Sequence, residues 1–394
     1  MQDMSKMTPA EKLSYRLSIV RDAQAWKKPD KMPINGNMFN WMFLDAGYTV
    51  NEAYQDYQKI DDSLVKFVTK YGVDHINQLH TGFRNFFQLC DAVGGSPVYT
   101  STSDTMNAVP VHPMDENDYD ALIENQNAFF WTKGLATLYP KALDMTPEEF
   151  AKAAKSLQDY NEARAYSENK LKNEHGIIVD AVPFIWPGTE PLVNNYRGLR
   201  GFSMDMRRHK DKIKEWCEAF FEASWASFKT AMDAQGEGFV ADQPYDACIC
   251  MLANSVINRK QFEEFYIPVF KKALDYCQEH GKQCFFYAEG AWAYVGEFFN
   301  EYPKGVVSVM VEQDDPYVLR EKFPNIALYG GLFVDVIGKP GAVQESVDMA
   351  KRAIDELGSD GGLVLMPNKM VSYANDMNSE NLKAVCDFVN SYEF

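Results

Sequence analysis

The sequence lacks the features that mark membrane-spanning, secreted and nucleotide-binding proteins. Its 394 residues contain no run of about 18 apolar residues, so no transmembrane helix is expected. The N-terminal segment MQDMSKMTPAEKL has no apolar core of the kind that a signal peptide needs. Neither GxGxxG after a first strand nor GxxxxGK followed by Ser or Thr occurs, which removes support from a nucleotide-binding open sheet. We therefore expect neither membrane insertion nor secretion.

Cysteine is sparse and irregularly spaced. The chain has 7 cysteines, an odd number scattered along its length, which argues against a disulfide framework and predicts reduced thiols in a cytoplasmic protein. Cys248 and Cys250 are separated by one residue, without C-x-x-C spacing and without a nearby histidine. We predict that both are buried thiols.

Positive charge is also in short supply. The formal net charge is -17 at pH 7, and the acidic residues are spread along the chain rather than collected in a tail. Such a surface repels nucleic acid, anionic lipid and heavily carboxylated substrates, unless local arginines form a pocket against the general field. Nucleic acid is therefore not an expected partner.

Apolar residues are plentiful and follow a strand-helix rhythm. They make up 46% of the chain, enough for a large core. Helix starts are well marked, as in Thr8-Pro9-Ala10-Glu11 and Thr146-Pro147-Glu148-Glu149. Short apolar runs, each followed by an amphipathic segment, predict a parallel sheet whose second half begins at residue 236. These runs are 175–188, 236–244, 282–290, 305–315, 325–332 and 361–368.

The first half of the chain is less regular. Residues 32–43 and 72–79 are candidate strands, and residues 115–173 are predicted to form a helical insertion or cover. We predict an α/β parallel barrel, with an open doubly wound sheet as the alternative. In a barrel the chemistry lies at the carboxyl ends of the strands.

Three parts of the chain resemble one known superfamily. The parts are MTPAEKL followed by KPDKMPI near the N-terminus, the segment 256–290, and the segment 361–385. In order and spacing they resemble the uroporphyrinogen decarboxylase superfamily, specifically its branch of corrinoid-dependent methyltransferases. The resemblance implies a single-domain (β/α)8 TIM barrel over residues 1–394, with N-terminal helical additions and a funnel at the strand ends. It also implies a partner, a separate corrinoid protein that carries cobalamin.

The resemblance places a zinc motif at positions where this chain has other residues. Thiol-activating members hold zinc through His-x-Cys-Gly at the end of one strand and a cysteine after the last strand. The corresponding residues here are Tyr287-Ala288-Glu289-Gly290 and, near the second cysteine, Lys369. Zinc prefers thiolate and imidazole ligands, and a lysine ammonium repels a dication. Thiol activation is therefore disfavoured, Glu289 remains as the one motif-placed metal candidate, and zinc stays an open question.

The substituted positions could supply a proton instead. Breaking a methyl-oxygen bond leaves negative charge on the departing oxygen, which a nearby acid can neutralise. Tyr287, Glu289 and Lys369 are the candidates, and Glu289 and Lys369 could share one proton if they face each other. The alternatives are a structural ion pair at the barrel mouth and, for Tyr287, an ordinary strand aromatic.

Further site candidates follow predicted strands. Asp242 ends GFVAD and would orient the substrate or act as a base, or else cap a turn. Glu312 and Asp314 would line the funnel or serve a turn. Polar rim residues and an aromatic wall for a flat apolar substrate complete the set: Asn35, Asn37, His80, Phe184, Trp186, Phe39 and Trp41.

The leading hypothesis is transfer of a methyl group from an O-methyl donor, a methoxylated aromatic compound, to the Co(I) centre of the corrinoid protein. An N-methyl donor is the nearest alternative. Porphyrinogen decarboxylation is disfavoured because residues 35–43 lack the arginines that those enzymes place after the first strand. A non-catalytic ligand-binding barrel is a further alternative, and it predicts binding without turnover.

Overall fold

The computed structural model describes residues 4–77, 81, 83, 92–93, 99–101, 106–108 and 111–394. Its strands are β1 (His75–Ile76), β2 (Tyr99–Ser101), β3 (Met106–Ala108), β4 (Ile178–Val179), β5 (Phe184–Ile185), β6 (Ala247–Met251), β7 (Cys284–Ala288), β8 (Val307–Met310), β9 (Ala327–Leu332) and β10 (Leu363–Pro367). Its α-helices are Pro9–Gln24, Trp41–Asp45, Val50–Gln55, Tyr57–Tyr71, Tyr119–Glu124, Gln126–Phe129, Leu135–Leu138, Pro147–His175, Thr189–Pro191, Gly198–Arg208, Lys210–Ala234, Arg259–Phe265, Ile267–Glu279, Gly296–Asn300, Pro316–Lys322, Val334–Ile337, Val343–Ala353 and Ser379–Ser391. Short 3-10 or π turns cover Met4–Lys6, Phe130–Gly134, Pro140–Leu143, Leu192–Tyr196, Ala253–Val256, Ala293–Val295 and Ile354–Gly358.

The parallel strands form two sheets that isolated bridges connect. β5 to β10 make a parallel sheet in chain order, and β1 pairs with β4. Residues 34–35 join the two sets, because Ile34 bridges to Leu365 of β10 and Asn35 bridges to His75 of β1. β4, which pairs with β1, and β5, which pairs with β6, are separated along the chain by residues 180–183. The predicted (β/α)8 barrel is confirmed.

Side chains alternate between the barrel interior and the surrounding helices. Phe285, Tyr287 and Tyr329 belong to the inner cluster, together with Cys248 and Cys250. The intervening residues of these strands pack outward in a second, larger cluster. Both thiols are therefore buried, as predicted, on a strand whose inner face they supply.

The amino-terminal end of the barrel is closed by the helix Pro9–Gln24. Its Leu17, Val20 and Ala23 pack into the inner cluster, and Gln24 Nε2 donates to the carbonyl oxygen of Pro244 at 2.5 Å. The capping box at Thr8, predicted from sequence, begins this helix. With this end filled, the carboxyl ends of the strands are where a site can form.

The strand predicted at residues 236–244 is wrong. Gly236 and Gly238 both have a φ of +73°, which ends any extended run there. The segment instead wraps around Arg21, whose guanidinium donates to the carbonyl oxygens of Val240 and Gln243. The actual strand, β6, begins at Ala247.

The region 115–173, predicted to be helical, is helical in its main part. It contains three short helices and the long helix Pro147–His175, which begins with the predicted capping box at Thr146. Its assignment as an insertion within one domain stays a prediction. None of the described helices has the length and apolar character needed to cross a bilayer.

Candidate functional site

Two of the predicted catalytic residues meet at the carboxyl end of β7. Tyr287 faces the barrel interior and is 5% exposed, and Glu289 follows β7 on the same side by strand alternation. The Glu289 N–H donates to the carbonyl oxygen of Met251 at 2.9 Å, which continues the ladder with β6 past the assigned strand end. The half-buried Glu289 side chain therefore lies at the rim of the barrel interior.

The turn after Glu289 is held by two carboxylates from the end of β8. Glu312 Oε2 accepts a short hydrogen bond from the N–H of Gly290. Asp314 Oδ2 accepts from the N–H groups of Trp292 and Ala293, at 2.6 and 3.0 Å. Glu312 is predicted to bind substrate, but one of its carboxylate oxygens holds the turn that follows Glu289.

A buried acid that sequence reasoning missed lies beside this turn. Glu190 follows β5 and is fully buried, and its Oε1 accepts from the N–H groups of Leu252 and Ala253 at 3.0 and 3.1 Å and from the Tyr266 hydroxyl at 2.7 Å. Burial, with a smaller contribution from Glu289, raises the pKa of Glu190 to about 7, although the three hydrogen bonds oppose that rise.

The loop anchored by Glu190 interlocks with the turn after Glu289. Asn254 Nδ2 donates to the carbonyl oxygen of Ala291 at 3.1 Å, and the Tyr294 hydroxyl donates to the carbonyl oxygen of Asn254 at 3.0 Å. Gly290 has a φ of +73°, and a Cβ there would lie 3.1 Å from Ser255 Cβ. The ends of β6, β7 and β8 are thereby fastened into one unit around Glu289.

The proposed proton-sharing pair of Glu289 and Lys369 does not form. Lys369 Nζ donates to Asp376 Oδ1 at 2.7 Å, within the loop that follows β10. The other oxygen of Asp376 accepts from the N–H groups of Ser372 and Tyr373, both at 2.9 Å. Lys369 is therefore part of a loop-closing ion pair, which is the structural alternative stated above.

Asp242 lies at the wrong end of the barrel for catalysis. It precedes β6 instead of ending a strand, and its side chain is 59% exposed. Its oxygen lies 3.5 Å from Lys172 Nζ, a surface ion pair. The error follows directly from the misplaced strand at residues 236–244.

Asn35 belongs to a chain of hydrogen bonds inside the barrel. The N–H of Asn37 donates to Asn35 Oδ1, so Asn35 Nδ2 is the atom that donates to His75 Nδ1 at 2.9 Å. The remaining ring nitrogen of His75 then carries the proton and donates to Asp180 Oδ1 at 3.1 Å. The Tyr245 hydroxyl donates to the other oxygen of Asp180 at 2.9 Å. Asn35 thus sets the His75 tautomer; the sequence pointed to Asn35 and Asn37, and sequence reasoning missed His75, Asp180 and Tyr245.

The predicted aromatic residues separate into two groups. Phe39 and Trp41 are buried core, with Trp41 Nε1 donating to the carbonyl oxygen of Met377 at 3.0 Å. Phe184 is 40% exposed and packs against Trp186, with ring centroids 5.6 Å apart. Both line a pocket of about 420 Å³ between β5 and the helix Lys210–Ala234. His80 lies outside the described residues.

The described residues do not supply a zinc site at the strand ends. Among the described residues, Glu289 belongs to no group of three or more His, Cys, Asp or Glu side chains whose ligand atoms lie close enough to share an ion. A group that does come together is Glu116, Asp205 and His209, with ligand atoms within 4.8 Å of one another. Arg197 Nε already binds Asp205 at 2.6 Å, however. The zinc chemistry of thiol-activating relatives therefore does not fit these residues.

A family model described as uroporphyrinogen decarboxylase (URO-D) matches residues 192–392, more than half of the chain. The chain belongs to this family. The match covers β6 to β10 and with them Tyr287, Glu289 and Lys369, so the family predicted from the sequence segments is confirmed. URO-D membership alone leaves the substrate undefined.

Solved structures agree with the fold. A methyltransferase from Methanosarcina mazei matches with a TM-score of 0.59 at 14% sequence identity, covering 98% of this chain and 99% of that chain. At that identity the likeness bears on the fold alone. A uronate isomerase from Bacillus halodurans is also matched, at 13% identity, 97% and 89% coverage and a TM-score of 0.29, which supports no argument. No curated protein matches the chain by sequence.

Proposed function

We propose that the protein transfers a methyl group from an O-methyl donor, a methoxylated aromatic compound, to the Co(I) centre of a separate corrinoid protein. The observation that carries the proposal is the pair Tyr287 and Glu289 at the carboxyl end of β7, where thiol-activating relatives hold zinc. The fold shared with a methyltransferase supports it. Because zinc ligands are absent from these positions, the proposal excludes thiol activation and keeps methyl transfer.

In the proposed methyl transfer, bonds form and break between the donor and the acceptor, and the residues of this chain have little covalent chemistry to perform. The acceptor's electron pair forms the new bond to the methyl carbon, and the carbon-oxygen bond breaks with its electrons going to the oxygen. The protein must orient the methyl group in line and neutralise the departing phenolate. Tyr287 and Glu289 are the proposed proton donors, since Lys369 is held by Asp376. Phe184 and Trp186 are proposed to contact the donor ring.

The test is methyl transfer observed directly. The protein would be incubated with a set of methoxylated benzenes and phenols and with a reduced corrinoid protein, and methylated corrinoid would be followed by its visible spectrum. We expect methylated corrinoid with at least one donor, and a loss of about a hundredfold or more in kcat for Glu289→Gln, the usual scale for removing an acid catalyst. Absence of methylated corrinoid with every donor would reject the proposal.

An N-methyl donor is the second candidate, and one observation favours it. The described rim residues Glu289, Glu312 and Asp314 are acidic, while the nearby cation Lys369 is neutralised by Asp376. Carboxylates at a rim attract ammonium groups. Methylamines included in the same assay separate the two: methylated corrinoid from amines alone would replace the O-methyl proposal.

A further inference from the structure

Glu190 is a fully buried carboxyl group that takes no part in the proposed methyl transfer. Its oxygens accept hydrogen bonds from Leu252, Ala253 and Tyr266, and Oε2 lies 3.5 Å from Asn194 Nδ2. A buried acid with this many partners is costly to desolvate and would be easily replaced by apolar residues if it served packing alone. Its placement therefore points to a role at the strand ends.

The contacts of Glu190 lead to Glu289 by two routes. The first is mechanical: Glu190 anchors Leu252 and Ala253, and the following residue, Asn254, is hydrogen-bonded to Ala291 and Tyr294 in the turn after Glu289. The second is electrostatic, because each carboxyl group lies within the field of the other. A shift of Glu190 would therefore displace Glu289.

We propose that Glu190 is a positioning residue, which holds the loop after β6 against the turn after β7 and thereby fixes Glu289 at the barrel rim. The inference rests on the proposed function for its kinetic consequence only. Glu190 touches neither donor nor acceptor in this role, because it is fully buried. It acts through the main-chain groups that it binds.

The protonation state of Glu190 determines how much negative charge lies near Glu289. The titratable groups that face it are Tyr266, which donates to it, and Glu289, which repels its anion; the other partners are neutral amides. A neutral Glu190 adds no charge near Glu289. Ionisation above pH about 7 places a second negative charge near Glu289, while the three hydrogen bonds, which favour the anion, continue to hold the loop.

The first test is amide hydrogen exchange, which needs no turnover. In Glu190→Ala we expect the amides of Leu252 and Ala253 to exchange at least about tenfold faster, since each tenfold corresponds to about 1.4 kcal/mol of lost protection. Glu190→Gln retains an acceptor oxygen and should keep the protection. Tyr266→Phe, which removes a single donor, serves if Glu190→Ala fails to fold. Unchanged exchange in both Glu190→Ala and Tyr266→Phe would overturn the proposal.

The second test is kinetic. We expect Glu190→Ala to lower kcat for methyl transfer by about tenfold to a hundredfold with little change in KM, the cost of a misplaced catalytic group. Glu190→Gln retains an acceptor oxygen for the same donors and should keep kcat close to that of the unmodified protein. Asp242→Asn, a surface change at the opposite end of the barrel, is the matched control. Loss of kcat in Glu190→Gln with normal exchange would show direct catalysis by Glu190 and overturn the positioning role. Methyl transfer absent from the unmodified protein would reject the proposed function and leave the exchange test standing.

Discussion

At the scale of single residues, environment separates chemically similar groups. Glu190 and Glu289 are both glutamates at the carboxyl ends of barrel strands, yet one is fully buried among donors and the other is half-buried at the rim. The sequence shows Glu190 only as one residue between Pro187 and Pro191, with no spacing that signals chemistry. Glu289 was found because a family motif marks its position. Glu190 could not be found from the sequence because its hydrogen-bond partners Leu252, Ala253 and Tyr266 are remote from it along the chain.

The buried Glu190 should make stability depend on pH. Its folded-state pKa is raised from 4.5 to about 7, so its contribution is fully present below pH 4.5 and is lost as the pH rises to about 7. A shift of this size corresponds to about 3 kcal/mol. We expect the free energy of unfolding of Glu190→Gln, measured by urea denaturation, to fall less over this interval than that of the unmodified protein. If the free energies of unfolding of the two proteins changed with pH in parallel, the raised pKa of Glu190 would be contradicted.

The ion pair between Lys369 and Asp376 closes the loop after β10. Because Asp376 binds Lys369 and also two main-chain N–H groups, removing the acid should cost more than removing the base. We expect Asp376→Ala to lower the free energy of unfolding by about 1–3 kcal/mol, the cost of unpaired buried groups. Lys369→Met should lower it by less than about 1 kcal/mol and leave kcat within about twofold. A large loss of kcat in Lys369→Met, with normal stability, would restore Lys369 as a proton donor.

At the scale of elements, the strands that could be read from sequence are those bounded by turn residues on both sides. β7 to β10 lie within the predicted runs for this reason. β6 was missed because a neighbouring apolar run, residues 236–244, looked more strand-like and is used instead to cover Arg21. The run 175–188 was read as one strand, whereas the structure interrupts it at residues 180–183. Pairing partners, which decide such cases, are remote in sequence.

The helix that closes the barrel is tied to the first strands through a buried acid. Asp74 accepts from Lys31 Nζ at 2.6 and 2.8 Å and from Arg16 Nε at 3.2 Å, and all three residues are buried. We expect Asp74→Ala to lower the free energy of unfolding by about 3–5 kcal/mol, because two cations lose their buried partner. Asp22→Ala is the control on the same helix, since its pair with Lys27 is exposed and its expected cost is below about 1 kcal/mol. If Asp74→Ala and Asp22→Ala lowered the free energy of unfolding equally, the stabilising role of the buried Asp74 would be contradicted.

At the scale of the whole molecule, charge selects among substrates. The net charge of -17 and the acidic rim together disfavour donors that carry a carboxylate. We expect a methoxybenzoate to bind more weakly than the corresponding methoxybenzene, and the gap to narrow as salt shortens the screening length toward about 8 Å or less. Calorimetric titration at low and high salt measures the affinity of each compound and the change in the difference between them. Tighter binding of the carboxylated compound would indicate a local cationic pocket that overcomes the general field.

The helix Pro9–Gln24 fills the amino-terminal end of the barrel, so that, in the part of the chain that the structure describes, Tyr287 and Glu289 are reached from the opposite end. Under the proposed function, a methyl donor would enter, and the demethylated product would leave, through the same end at which a protein-sized methyl acceptor would dock. The proposed function then carries an expected kinetic order. The donor would bind before the acceptor protein, the acceptor would depart before the product, and an excess of acceptor protein would inhibit turnover by trapping the product beneath it.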